Sequence, residues 1–173
     1  RNPIDRITET GVRLADGSEV ELDCLIFATG YDAMTGALLH MDIQGEGGVQ
    51  LRDRWAAGPR TMMGLMVEGF PNLFTVTGPG SPSVLSNMLV SIEQHVDWIS
   101  DCLAHLQSQH KRKIQPTPEA QEQWVTHVNE LANATLFPRG NTWYMGANVP
   151  GKPRVFMPYL GVGPYRELCD NVA

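Results

Sequence analysis

The sequence has few charged residues and few cysteines, and it contains no long apolar run. Only 18% of its 173 residues are Asp, Glu, Lys or Arg, against roughly a quarter in typical soluble domains. We therefore expect part of the surface to be covered by a cofactor or by further domains. The net charge is −6 and the largest basic cluster is Lys111-Arg112-Lys113, so no nucleic-acid partner is expected. Because no apolar run reaches about 18 residues, no membrane span is expected either.

The cysteine and histidine patterns argue against a metal site. Cys24, Cys102 and Cys169 are far apart and show no Cys-x-x-Cys spacing. We predict that they are reduced, buried thiols in a cytoplasmic protein, not zinc ligands or disulfide partners. The 5 histidines show no spacing typical of a metal site or a catalytic triad, and we predict structural or surface roles for them. No secretory signal pattern is visible near Arg1.

The first thirty residues predict a hairpin followed by a buried strand. Residues 11–27 alternate polar and apolar side chains around an Asp16-Gly17 turn, which is a strong hairpin signal. The apolar run Cys24–Phe27 then stops at Ala28-Thr29-Gly30. Small residues at the carboxyl end of a strand allow a dinucleotide to approach the backbone, although a plain tight turn needs the same residues. A hairpin with one apolar face needs a partner surface, so we expect a fragment of a larger protein.

The middle of the chain predicts a strand, an irregular turn and a long helix. Residues 72–77 form the predicted strand, and Gly78–Ser83 contains too much Gly, Pro and Ser for a regular element. The predicted helix covers residues 86–108. Its apolar residues recur every three or four positions, and they are Leu85, Leu89, Ile92, Val96, Ile99, Leu103 and Leu106. The start of such a helix points backbone amides at an anion.

The last third predicts two helices separated by a long loop. Thr117 has the character of an N-cap and Pro118 that of a first helical residue. Four residues exclude a helix or a strand over the segment 141–154, namely Gly146, Pro150, Gly151 and Pro153. Loops of this length usually have a function, so we name residues 141–154 the lid loop. A short helix is predicted near Tyr165–Val172.

Six blocks in this order resemble the carboxyl-terminal portion of the type I Baeyer–Villiger monooxygenases, the cyclohexanone, phenylacetone and steroid monooxygenase group. The blocks are ATGYDA (28–33), WAAGPRT (55–61), GFPNLF (69–74), GPGSPSVLSNMLVSIEQHVDW (78–98), TWYMGANVPGKPRVFM (142–157) and YRELCD (165–170). The resemblance implies an α/β fold, as part of a flavoprotein with two Rossmann-like dinucleotide-binding domains. Residues 1–27 would end the NADP-binding domain and supply the crossover strand. Residues 28–173 would be the carboxyl-terminal part of the FAD-binding domain.

The resemblance also implies a reaction and its partners. The complete enzyme would use FAD and NADPH to insert one oxygen atom of O2 next to a ketone carbonyl, giving an ester or lactone. Its partners would be the ketone, O2 and the amino-terminal domains of the same polypeptide. Two alternatives stay open, a related flavin monooxygenase that oxidises heteroatoms and a non-catalytic binding module. The aromatic lid loop argues against the first.

Site residues follow from the resemblance, position by position. The implied cofactor contacts are Ala28, Thr29, Gly30, Asp32, Asn87, Met88 and Trp143, and the implied substrate pocket is formed by Pro82, Ser83, Val84 and Leu85. Leu85 could equally belong to the core, and Trp143 could simply anchor its loop. We interpret Lys152 and Arg154 as solvated loop charges, with contact to a cofactor phosphate as the alternative.

The chain departs from the family pattern in what it lacks. Both glycine-rich dinucleotide fingerprints and the arginine that holds the peroxyflavin anion in this family are missing from the sequence. No catalytic residue is therefore predicted in this chain, and that arginine is expected upstream. We expect the isolated chain neither to hold FAD nor to turn over.

Overall fold

A three-stranded antiparallel sheet forms the amino-terminal part of this computed structural model, which describes residues 2–28 and 30–172. The strands are β1 (Ile4–Ile7), β2 (Gly11–Leu14) and β3 (Glu19–Glu21), in the order β1-β2-β3. The predicted hairpin is confirmed, with Val12 opposite Val20. Its turn is closed by the Asp16 carboxylate, which accepts hydrogen bonds from the Ser18 N–H at 2.9 Å and the Ser18 hydroxyl at 2.6 Å. Strand β1 was not predicted.

The run Cys24–Phe27, predicted as a buried strand, is neither buried nor a strand. Ile26 and Phe27 are 82% and 71% exposed, and no described residue pairs with the run as a neighbouring strand. An apolar run becomes a strand only where a neighbour accepts and donates its backbone hydrogen bonds. These residues therefore have the composition of a buried strand without its partners.

The residues from Tyr31 onward form a second compact unit, built mainly from helices. The helices are α1 (Gly36–His40), α2 (Leu51–Arg54), α3 (Met88–Ser108), α4 (Pro118–Asn133) and α5 (Val162–Asp170), with 3-10 turns at Glu46–Gly48, Phe137–Arg139 and Trp143–Met145. Helix α4 begins as predicted, because the Thr117 hydroxyl accepts the Ala120 N–H at 3.2 Å. Helix α5 begins three residues earlier than predicted. None of the described helices is long and apolar enough to cross a membrane.

Helix α3 confirms the predicted long helix but buries a different face. Its buried residues are Ser91, His95 and Trp98, whereas three members of the predicted apolar stripe are largely exposed, namely Leu89, Val96 and Leu103. The prediction of a buried stripe is wrong for those three. The buried polar rings find backbone partners: Trp98 Nε1 donates to the Cys169 carbonyl at 3.1 Å. A hydrogen-bonded aromatic ring can be buried as readily as a leucine.

The predicted strand at residues 72–77 is also wrong. Only Phe74 makes a ladder-type bridge, antiparallel to Met66. Asn72 and Thr77 both have left-handed backbones, with φ of 61° and 52°. These conformations stop an extended run at both ends, so only a short bridge forms.

Two apolar clusters make the core of the second unit. The larger one contains aromatic side chains from α3, α4, α5 and the connecting loops, including Trp98, Trp124, Phe156, Tyr159 and Tyr165. The smaller one consists of Leu51, Trp55, Val67 and Phe70. Trp124 stacks on Tyr159 with ring centroids 5.0 Å apart. Aromatic packing of this kind fixes the loops that lie between the helices.

Candidate functional site

A cavity of about 470 Å³ lies beside the amino-terminal end of α3. Its wall is mostly apolar, and its lining residues are Ala33, Met34, Ala37, Leu38, Phe74, Thr75, Val76, Thr77, Gly78, Val84, Met88 and Trp143. The cavity thus brings together three residues predicted for the site, Val84, Met88 and Trp143. Its volume falls within the range of roughly 300–1,000 Å³ that is usual for small-molecule sites.

The other predicted pocket residues lie outside this lining. Pro82 and Ser83 are fully buried, and the Ser83 carbonyl accepts hydrogen bonds from the N–H and hydroxyl of Ser86, each at 3.0 Å. Leu85 packs against the larger apolar cluster. Ser83 touches the lining through its hydroxyl, which lies 3.9 Å from the Met34 sulfur, and Leu85 has the core environment that was its alternative interpretation.

The amino terminus of α3 is capped by its own chain. Asn87 Oδ1 accepts the Leu89 N–H at 3.1 Å, which satisfies one of the free amides of the first turn. Met88 begins the helix, lines the cavity and is 41% exposed. The helix end therefore offers backbone donors and a flexible apolar side chain next to the cavity.

The lid loop is tied to the chain beside the cavity by Lys152. Its ammonium group forms an ion pair with Asp32 and donates to the Ala33 carbonyl at 3.2 Å. The Lys152 side chain is only 9% exposed, so the prediction of a solvated loop charge is wrong for it. Asn148 Nδ2 adds a donation to the Tyr31 carbonyl at 2.7 Å. Arg154 is exposed, as predicted, and donates to Asn141 Oδ1 at 3.0 Å.

Trp143 lies on the lid loop at the edge of the cavity. It starts a 3-10 turn capped by the Thr142 hydroxyl, which accepts the Tyr144 N–H at 3.3 Å. Its ring contacts the Tyr144 ring at 4.3 Å between centroids, and the side chain is 36% exposed. An aromatic surface of this size remains available to a ligand.

Two predicted cofactor residues that the structure describes belong to the amino-terminal unit. Ala28 and Gly30 are exposed there, and Thr29 lies outside the described residues. Their predicted contact with a cofactor stays a prediction.

Residues 75–81, which we name the wall segment, include the cavity-lining residues Thr75–Gly78 and are held by buried hydrogen bonds. Thr75 Oγ1 donates to the Gly64 carbonyl at 2.7 Å, and Ser81 Oγ donates to the Gly78 carbonyl at 2.7 Å. Thr61 Oγ1 donates to the Pro79 carbonyl at 2.6 Å. Buried polar groups that are satisfied in this way make an irregular segment rigid.

His95 contacts the same wall segment from α3. The side chain is 0% exposed, and its Nδ1 lies 3.0 Å from the backbone nitrogen of Thr77. Burial lowers the pKa of His95 to about 4. Sequence reasoning missed this contact, because no spacing connects a backbone amide at position 77 with a side chain at position 95.

The chain has relatives among known proteins over nearly its whole length. No protein-family model matches it. An acetone monooxygenase (methyl acetate-forming) from Gordonia sp. (strain TY-5) is 51% identical over 174 aligned residues, covering 99% of this chain and 33% of the relative. A cyclohexanone 1,2-monooxygenase from Acinetobacter sp. is 44% identical, covering 98% of this chain and 31% of the relative. The chain is homologous to the Baeyer–Villiger monooxygenases.

The solved structures agree with this relationship. The crystal structure of the cyclohexanone monooxygenase from Rhodococcus sp. Phi1 bound to NADP+ superimposes with a TM-score of 0.89 at 44% identity, covering 99% of this chain and 32% of that chain. The predicted fold class, part of an α/β flavoprotein, is thereby confirmed. The chain spans about a third of the length of the Baeyer–Villiger monooxygenases it matches.

The cysteines of this Baeyer–Villiger homologue differ in environment. Cys169 is buried, Cys102 is intermediate and Cys24 is exposed, so the prediction of buried thiols is wrong for Cys24. Burial raises the pKa of the Cys169 and Cys102 thiols. Within residues 2–28 and 30–172, no group of three or more His, Cys, Asp or Glu is placed to hold a metal ion.

Proposed function

We propose that this chain is the lid-bearing, substrate-side portion of an FAD- and NADPH-dependent Baeyer–Villiger monooxygenase. The complete enzyme inserts one oxygen atom of O2 next to a ketone carbonyl and releases an ester or lactone. The observation that carries the proposal is the apolar cavity that unites Val84, Met88 and Trp143. The relatives include an acetone monooxygenase and a cyclohexanone 1,2-monooxygenase, which supports a ketone as the substrate class.

The cavity suits a flavin ring or a ketone but not a whole dinucleotide. Its apolar lining matches a ring or an alkyl chain, and the first turn of α3 offers backbone donors that favour a negatively charged ring edge. The sequence has no glycine-rich turn for a pyrophosphate. The phosphate end of the cofactor is therefore assigned to further domains of the polypeptide.

The residues of this chain bind and orient the ligand, and they exclude water from the cavity. When bound, FAD reduced by NADPH would activate O2, which supplies the inserted oxygen atom while its second atom leaves as water. Val84, Met34 and Met88 give the reacting ketone an apolar environment. Pro82 and Ser83 are buried, Ser83 contacts Met34, and Leu85 packs against the larger apolar cluster. Trp143 covers the cavity edge, while Asn87 fixes the helix start and Asp32 anchors the lid loop through Lys152. Exclusion of water favours oxygen insertion over side reactions.

We assign residues 1–27 to the end of the NADP-binding domain and residues 28–173 to the FAD-binding domain. Ala28, Thr29 and Gly30 then lie at the domain crossing, where small residues admit a cofactor. The three cysteines are free thiols, which supports a reducing, cytoplasmic location.

Product analysis of the complete polypeptide tests this function. It should form one ester or lactone per NADPH consumed from acetone or cyclohexanone. Formation of an N-oxide from an amine with no ester from either ketone would favour the heteroatom-oxidising alternative. A complete polypeptide that purifies without flavin and binds none would favour the binding module.

Replacement of Trp143 tests the lid role within that enzyme. Trp143→Ala removes the largest exposed aromatic surface at the cavity edge, and it should lower the ratio of ester formed to NADPH consumed more than it lowers flavin reduction. Phe137→Leu, at an aromatic residue away from the cavity lining, serves as the control. If Trp143→Ala keeps the wild-type ratio and NADPH affinity, Trp143 is only a loop anchor.

Flavin titration of the 173-residue chain alone tests whether the phosphate end of FAD is bound by other domains. Because the chain lacks a pyrophosphate-binding turn, it should purify without flavin absorbance and show no turnover. A tight stoichiometric complex with FAD would contradict the assignment of the phosphate site to other domains.

A further inference from the structure

We propose that His95 is a positioning residue that fixes the Thr77–Gly78 wall of the cavity and thereby the binding of the ketone. The inference rests on the proposed function for the identity of the ligand. It rests on geometry for the role of His95, which lies behind the wall and does not line the cavity.

Thr77 adopts a backbone conformation that its side chain disfavours. Its φ is 52°, in the left-handed region where residues with a branched Cβ are rare. Such a conformation persists only where the surroundings hold it. The Thr77 N–H donates to His95 Nδ1 at 3.0 Å, so the bond acts directly on the disfavoured residue. Thr77 and Gly78 both line the cavity, and a rotation at Thr77 would move that lining.

The hydrogen bond defines the state of the imidazole ring. A backbone amide can only donate, so Nδ1 must be the unprotonated acceptor and Nε2 carries the proton. Burial of the ring opposes the cationic form, which has no free acceptor. Nε2 has no hydrogen-bond partner among residues 2–28 and 30–172. A buried N–H without a partner, such as Nε2–H, costs free energy. Of the two ring nitrogens, Nδ1 is therefore the one whose hydrogen bond stabilises the structure.

Tyr165 of α5 supports the same arrangement. Its ring meets the His95 ring edge-on with centroids 5.5 Å apart, and its hydroxyl donates to the Met63 carbonyl at 2.6 Å. Met63 is also left-handed, with φ of 60°. Two disfavoured turns are therefore each held by one of two touching rings, and the hydrogen bond from Thr75 to Gly64 joins the turns.

Two amide substitutions separate the acceptor from the bulk of the ring. In His95→Asn, Oδ1 occupies the position of Nδ1 and can still accept the Thr77 N–H. In His95→Gln, the side-chain amide lies at the position of Nε2, so no acceptor remains at the position of Nδ1. The variants are compared in the complete enzyme, at a temperature where both are folded by circular dichroism and retain FAD.

Two readouts decide the proposal. Amide hydrogen exchange of residues 75–81, followed by mass spectrometry, should speed up about ten-fold in His95→Gln and stay near wild type in His95→Asn. The KM for cyclohexanone should rise several-fold in His95→Gln with kcat changed less, and His95→Asn should restore it. In a Thr77→Gly background, His95→Gln should raise KM less, because glycine adopts a positive φ without help.

Unchanged exchange in His95→Gln would overturn the proposal, whatever the activity of the enzyme. Equal losses in the Asn and Gln variants would overturn it as well, because bulk rather than the acceptor would then matter. If the wild-type enzyme oxidises no ketone, the proposed function fails, and the exchange comparison still decides whether His95 positions the wall.

Discussion

Two irregular segments meet at the cavity, the wall segment and the lid loop, and they differ in how their backbones are satisfied. Both are rich in glycine and proline, and neither contains a regular element longer than one turn. Most of the wall segment is buried and is hydrogen-bonded to Thr61, Gly64 and His95. The lid loop is mostly exposed or half-buried, and its contacts with the chain beside the cavity come from Lys152 and Asn148.

The difference shows that irregular structure and mobility are separate properties. A segment opens easily when its hydrogen bonds face solvent and its buried contacts are few, and it stays fixed when buried partners hold it. The wall segment therefore suits the shaping of a ligand site. The lid loop suits opening and closing over one.

The largest expected effect lies at Gly64, which packs against Ser81 of the wall segment. Gly64 has φ of 70°, and a Cβ there would lie 2.5 Å from Ser81 Cβ and 2.6 Å from the Ser81 nitrogen. Gly64→Ala combines a left-handed alanine with overlap against backbone that cannot move aside. We expect a loss of about 2–5 kcal/mol of unfolding free energy, measured by urea denaturation. A loss below about 1 kcal/mol would show that the wall segment can yield, and it would remove the contrast with the lid loop.

The second effect is acid destabilisation through His95. Burial lowers its pKa from 6.5 to about 4, so the unfolded chain binds a proton at this position more readily than the folded one. No stability is lost above about pH 6.5; the loss grows as the pH decreases from 6.5 to 4 and levels off at about 3 kcal/mol below that. The titratable ring that touches His95 is that of Tyr165, whose pKa is raised by burial, so it stays neutral throughout.

The comparison that checks this acid effect is urea denaturation of wild type and His95→Asn between pH 4 and 7.5. The variant cannot titrate at this position, and carboxylates elsewhere contribute equally to both proteins. The difference in unfolding free energy should shrink as the pH falls. A difference that is independent of pH would mean that the folded state admits the imidazolium.

The sequence predicted well whatever depends on neighbouring residues. The Asp16-Gly17 hairpin, the Thr117 cap and the span of α3 depend on local hydrogen bonds and periodicity, and each is confirmed. The predicted strands at 24–27 and 72–77 failed because a strand needs a partner, and partners are set by the tertiary fold.

The errors within the second unit share one cause. The apolar stripe of α3 was predicted from hydropathy, but His95 is buried against the wall segment and Trp98 against α5, while Ser91 is buried beside Ser86. Lys152 was predicted to be solvated because charges usually are, yet it reaches Asp32, 120 positions away in the chain. Contacts at such separations leave no pattern in a single sequence. The family resemblance identified the residues of the site. Only the structure identified the hydrogen bonds and the ion pair that hold them in place.

A third prediction concerns the attachment of the lid loop. Lys152→Met removes the ion pair with Asp32 and leaves a half-buried carboxylate without its cation. Loss of a charged hydrogen bond of this kind should cost about 1–2 kcal/mol. The main measurable result should be faster amide exchange across residues 141–154. Arg154→Met, at an exposed charge on the same loop, is the matched control and should change exchange little. Equal effects of the two variants would mean that general loop charge, and not the Asp32 contact, holds the lid.

The smallest effect is expected at Gly151, and it completes the comparison with Gly64. Both glycines have positive φ, 76° for Gly151 and 70° for Gly64, but a Cβ at position 151 would meet no heavy atom within 4 Å. Gly151→Ala then carries only the backbone penalty, partly offset because alanine also restricts the unfolded chain, so the net loss should be about 0.5–1 kcal/mol. Urea denaturation of the two alanine variants under the same conditions gives the result directly. A loss at Gly151 as large as that at Gly64 would mean that the lid loop is packed as tightly as the wall segment, and a rigid lid could not open for the proposed ketone.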